Sequence, residues 1–231
     1  MSNEKITRAE RRAKAKRQKQ MQSAGIIILG VLIIVSGIVL VTFIQPDLAE
    51  ASEYDYVLAN GNAIGDPDAP IIIEEFSSFG CIHCRDFWAE TERQLVDTYV
   101  KTGQVYYVFR TFNNPIDAYG IAAQAAYCAG DQNKFWEMHD LIFANFSATG
   151  YTNKDLNRMA DLLELDQNLF STCMDSGKYV ETIQEDARVG TEAGITGTPS
   201  FTINGLLAIE GNRDFDSFRI QIEAALADVN N

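Results

Sequence analysis

The sequence predicts an α/β domain, a mixed sheet interrupted by a long block of helices, carried behind one transmembrane helix. Three observations predict it. Residues 24–44 hold no charged side chain. Residues 71–112 read strand, helix, strand. A Gly-Thr-Pro turn at 197–199 opens a hairpin and a last helix, after about 80 residues of helical pattern. With 231 residues, 46% of them hydrophobic and 22% charged, the chain can build a real core.

Charge is divided sharply along the chain. Residues 1–23 carry eight Lys/Arg against Glu4 and Glu10, whereas residues 45–231 carry eleven against thirty acids. So acidic a domain repels phosphate backbones, which excludes nucleic-acid binding by the folded part. The basic cluster directly precedes Ala24–Ile44, whose 21 residues would make a helix of roughly 31 Å, enough to span a bilayer core. The positive-inside rule then places residues 1–23 as a cytoplasmic tail, residues 24–44 as the transmembrane helix and the remainder on the far side of the cell membrane. Ala49-Glu50-Ala51 has the small-x-small form of a signal cleavage site, but the apolar run is long for a signal peptide. An uncleaved single-pass signal-anchor is the expectation.

Residues 45–65 read as an acidic linker, with a first strand near Tyr54–Leu58. The domain proper is expected over 66–231. Asp66-Pro67-Asp68-Ala69-Pro70 is a turn cluster. Ile71–Phe76 is an apolar, β-branched strand. A helix is predicted from Cys81 to Gly103, with Phe87, Trp88, Leu95, Val96 and Tyr99 at helical spacing, followed by a second strand at Gln104–Phe112. The helical block, about residues 115–193, divides into Ile116–Ala129, Lys134–Phe146, Asn153–Leu165, Gln167–Ser176 and Tyr179–Ala193. Ser200–Ile203 and Leu206–Ile209 form a hairpin about Asn204-Gly205, which suits a type I′ turn. Asp214–Val229 closes the chain as an amphipathic helix. A βαβ unit, a hairpin and helices on both faces make the thioredoxin fold with an inserted helical domain.

Cys81-Ile82-His83-Cys84 lies where strand passes into helix. Free N–H groups and the helix dipole there favour an anion, and C-x-x-C thiols at helix starts fall to about 3.5–7.5 from about 8.5. Cys81 is expected to be the exposed sulfur and Cys84 the shielded one, with His83 a neighbouring donor to the Cys81 thiolate. A zinc site would need four ligands, yet there is no second C-x-x-C and His139 is the only other histidine, so no metal is expected. No cofactor is expected either. A purely structural Cys81–Cys84 bridge is the bland alternative. Cys128 and Cys173 sit in separate helices of the insertion and are expected to form a structural disulfide, the alternative being two buried free thiols. His139 reads as a surface or capping histidine beside Phe135, Trp136, Met138, Leu141 and Phe143. Asn145-Phe146-Ser147 has the form of an N-glycosylation acceptor.

The stretch Gly65–Cys84, GDPDAPIIIEEFSSFGCIHC, resembles the start of the DsbA-like thioredoxin-fold family, and Gly197–Gly205, GTPSFTING, resembles its cis-proline strand and hairpin. The resemblance covers roughly residues 60–229. It implies that Cys81 forms mixed disulfides with client proteins and that Cys84 is its partner in a redox-active disulfide. It implies a cis Pro199 that sets the Thr198 backbone beside Cys81 for substrate binding, and it makes Glu75 a buried acid exchanging a proton with Cys84. Ile82 departs from the proline frequent in the oxidant motif, while His83 keeps the residue linked to an oxidising poise. The expected function is a thiol-disulfide oxidoreductase that forms disulfides in exported proteins with free thiols and is re-oxidised by a quinone-linked membrane partner. A reductase or isomerase using the same pair is one alternative. A membrane-tethered binding or chaperone module is another.

Overall fold

The computed structural model describes residues 58–229, together with Arg17, Met21, Leu48, Ala49 and Tyr56. The expected transmembrane segment at 24–44 lies outside these residues, as does nearly all of the basic tail. Among the described residues no helix is long and apolar enough to cross a membrane. The chain divides into two units, Met1–Asp47 and Leu48–Asn231, and the whole fold below belongs to the second.

The sheet is built outward from an interior strand. β3 (Ile71–Ser77) pairs in parallel with β4 (Val105–Thr111) on one side and antiparallel with β5 (Ser200–Ile203) on the other. β6 (Leu206–Glu210) extends the sheet beyond β5. Asn204 and Gly205 have φ of 50° and 80°, the left-handed pair that a type I′ turn requires. Two strands of two residues, β1 (Ala59–Asn60) and β2 (Ala63–Ile64), complete the order β1-β2-β4-β3-β5-β6. These correct the linker boundary, because residues 59–64 belong to the sheet. Ala63 and Ile64 bury their side chains against β4, which a two-residue strand cannot announce by periodicity.

The helix predicted from Cys81 is interrupted. α1 (Ile82–Phe87) runs into a π-helical turn at Trp88–Glu92, then α2 (Arg93–Leu95) and a second π turn at Val96–Val100. The insertion comprises α3 (Gly120–Gly130), α4 (Phe135–Ala144), α5 (Asn153–Leu162), α6 (Gln167–Ser176) and α7 (Val180–Glu192). α3 starts four residues later than expected. The Asp117 carboxylate accepts from the Tyr119 and Gly120 N–H groups, holding residues 114–119 as a turn. α5 opens on a capping box between Thr152 and Asp155, and α6 is bounded by the Asp166 cap and by Gly177 at φ 62°. Last comes α8 (Phe215–Val229), with Phe218 packed on Phe87 and Phe201 under the sheet.

On the other face, Arg110 bridges Glu74 at 2.6 Å and Asp186 of α7 at 2.9 Å, tying the insertion to the sheet. Within the insertion, Cys128 of α3 and Cys173 of α6 form the expected disulfide.

Candidate active site

Cys81 stands at the N-cap of α1 with extended backbone, and Cys84 lies one turn in, fully buried. Both are free thiols. This is the shielding order expected from the spacing. Thr198-Pro199 is a cis peptide, and it brings the Thr198 carbonyl to 3.3 Å from the Cys81 sulfur, whose thiol donates to it. Two turns 117 residues apart thus meet at one sulfur.

The two thiols are driven in opposite directions. The Cys84 thiol, as a donor to Cys81, lowers Cys81 most. The Thr198 side chain and the backbone N–H groups of Cys84 and His83 add to this, and against some desolvation Cys81 falls to about 5. Burial pushes Cys84 well up, reinforced by its bond to Cys81. His83 therefore serves the thiolate through its backbone N–H, whereas its side chain is exposed. The expectation of an imidazole donor is corrected to that extent.

Glu75 is fully buried, and Glu74, its neighbour on the strand, faces the opposite side with Arg110. Burial raises the Glu75 carboxyl, and the bond donated by the Tyr107 hydroxyl only partly opposes that rise. A charge on Glu75 raises the proton affinity of Cys84 further. Such a pair can pass a proton when a disulfide opens or closes.

His139 is completely buried, which corrects its reading as a surface or capping histidine. It lies on the inward stripe of α4, ringed by Phe79, Phe109, Trp136 and Phe143, with Asp140 at 3.2 Å from its Nδ1. Asp140 also accepts from Trp88 Nε1 at 2.8 Å and Tyr56 Oη at 2.7 Å. Glu92, buried in the first π turn, comes within 3.8 Å of His139 Nε2. Glu92 and Asp140 fall in no sequence motif. The one available signal for Glu92 was a gap in the apolar stripe between Trp88 and Leu95, where Thr91 and Glu92 stand and both are buried.

A pH dependence follows. Cys81 is lowered in the folded, reduced protein, so its contribution to stability is complete above the unfolded value near 8.5–9 and is lost as pH falls through about 5. Allowing for solvent on its open side, the contribution is about 2 kcal/mol at pH 7. Thermal unfolding of the dithiol form should lose stability between pH 7 and 5 relative to the disulfide form, which has no thiol to titrate.

Comparison with known proteins agrees with this geometry. A family profile described as thioredoxin matches residues 58–224. A Rickettsia felis protein provisionally named a protein-disulfide oxidoreductase is 29% identical over 72% of this chain and 60% of its own length. A Bacillus anthracis protein provisionally named disulfide bond formation protein D is 26% identical over 91% of this chain and 99% of its own. Among solved structures, alpha-DsbA1 from Wolbachia pipientis is 27% identical, covers 74% of this chain and 94% of its own, and superposes with a TM-score of 0.62. Oxidised BdbD from Bacillus subtilis, 20% identical, shares the fold with a TM-score of 0.64 over 78% of this chain and all of its own. With a paired C-x-x-C facing a cis-proline turn and a family match over most of its length, the chain belongs to the DsbA-like thioredoxin-fold family and is a thiol-disulfide oxidoreductase.

Proposed function

We propose that this oxidoreductase works as an oxidant of exported proteins. One observation carries the reading: Cys81 is stabilised as a thiolate at about 5 while its partner is buried and held protonated. A client thiolate attacks the Cys81 sulfur of the Cys81–Cys84 disulfide. The S–S bond breaks, and Cys84 leaves with the electron pair and takes a proton from the Glu75 carboxyl. A second client thiolate attacks the client sulfur of the mixed disulfide and expels Cys81 as thiolate. The client gains a disulfide and the protein is left as the dithiol. A stable leaving thiolate drives this last step toward oxidation of the client.

The uncharged run at 24–44 behind a basic tail supports a single-pass anchor with the catalytic domain outside the cytoplasm. An anchored oxidant would be recycled by a membrane partner that accepts two electrons and passes them to a quinone. Cys84→Ala expressed in the native host tests the reading directly. It should accumulate mixed disulfides through Cys81, with exported thiol proteins and a membrane redox protein among those trapped. Capture of cytoplasmic reductases in their place would contradict it.

A further inference from the structure

Behind Cys84 lies more acid–base machinery than one carboxyl. Glu75 Oε1, Glu92 Oε2 and His139 Nε2 are buried and lack a hydrogen-bond partner among the described residues. Buried polar atoms without a partner are costly, which sets these groups apart from ordinary core packing. Asp140 Oδ1 lies at 3.2 Å from Nδ1 and orients the ring, so that Nε2 faces Glu92 Oε2 at 3.8 Å. Phe79, Phe109 and Phe143 close round the same ring and exclude solvent from it.

The groups facing this imidazole come from every neighbouring element. Glu92 of the π turn and Asp140 of α4 itself lie at its two nitrogens; Glu75 of β3, to which Tyr107 of β4 donates, feels its charge; Tyr56 and Arg93 lie on Asp140 at the outer end. A positive charge on His139 stabilises the Glu75 carboxylate, and burial pushes the Glu92 carboxyl well up, so that Glu92 sets no second negative charge beside it. Asp140 stays ionised: burial alone would raise it, but the His139, Tyr56 and Trp88 donors outweigh burial and hold it below the ordinary range.

We propose that His139 is a positioning residue for disulfide exchange: held between Asp140 and Glu92, it favours the charged form of the Glu75 carboxyl, which gives a proton to Cys84 and takes it back. When the Cys81–Cys84 disulfide opens, Glu75 protonates the departing Cys84 sulfur and becomes a carboxylate. That carboxylate is stabilised by a proton held on His139, between Glu92 and Asp140. When the disulfide re-forms, Cys84 returns its proton to Glu75 and attacks the Cys81 sulfur, and the group bonded to Cys81 leaves with the electron pair. The inference rests on thiol–disulfide exchange at Cys81 and Cys84 and holds for either net direction.

The test follows one intramolecular step in the full chain. Glutathione is placed on Cys81 as a mixed disulfide, and its release by Cys84 is timed across pH. In His139→Gln the inflection belonging to Glu75 should move up by about one pH unit, giving about tenfold slower release on the acid side. The Cys81 thiolate titration, read separately by ultraviolet absorbance, should stay in place. Glu92→Gln, nearly isosteric with the protonated carboxyl that burial favours there, should leave the same inflection in place. An inflection unchanged in His139→Gln, or a uniform slowing at every pH, would overturn the proposal and leave the cluster as packing. No glutathione release by the unsubstituted protein would instead remove the exchange reading on which it rests.

Discussion

Replacing Cys81 with Ser is expected to lower the rate of disulfide transfer to a reduced client by at least about 1,000-fold, with little change in folding. The hydroxyl cannot form the disulfide, and its oxygen would be a poor nucleophile and leaving group where the sulfur is an anion at neutral pH. Cys81 is only partly buried and donates to a single carbonyl, at 3.3 Å, so the core has little to lose. Substituting Cys84 has a different signature. It removes the strongest influence lowering Cys81, so the Cys81 titration should move up, while mixed disulfides persist because no resolving thiol follows. Quenched-flow reaction with an activated disulfide distinguishes the two: Cys81→Ser, left with a buried thiol, forms no adduct, and Cys84→Ala forms one but releases none of it by ring closure.

Removing the second disulfide should produce the largest loss of stability. Cys128 and Cys173 are 45 residues apart in sequence, and in the chain-entropy treatment closing a loop of that size contributes about 4 kcal/mol. Cys128→Ala/Cys173→Ala leaves the α3–α6 contact to packing alone, and denaturant unfolding should show a lower midpoint with a somewhat steeper slope, because the unlinked unfolded chain exposes more surface. The redox-active pair should be untouched, since Cys81 and Cys84 sit in the βαβ unit. A stability within about 1 kcal/mol of the parent would show that the unfolded chain is not constrained by this link.

The parts of the fold that were legible in the sequence are those whose local chemistry agrees with their tertiary role. β3 and β4 are β-branched and aromatic, Asn204-Gly205 meets the φ demand of its turn, and α6 has an acid at one end and glycine at the other. The catalytic pair was legible for the same reason, because helix-start geometry alone decides which cysteine is shielded. Tertiary context decided the rest. Nothing local distinguishes Glu75 from Glu74 until the opposite faces of β3 are covered by different partners, Tyr107 for one and Arg110 for the other. His139 read as a surface residue because a histidine among aromatics carries no sign of the Asp140 and Glu92 carboxylates that make its burial tolerable. β1 and β2 are too short to show a period, and the Asp117 side chain, invisible to a helix pattern, delays α3 to Gly120.

The central claim is that the stabilised Cys81 thiolate makes this protein an oxidant. Equilibrating the purified chain with glutathione redox buffers at pH 7, and reading the Cys81–Cys84 couple by the fluorescence of nearby Trp88, measures it directly. A reduction potential of about −120 mV, or at least above about −180 mV, is the predicted result. A value near about −270 mV, in the range of thioredoxin, would contradict it and turn the same cysteines into a reductase.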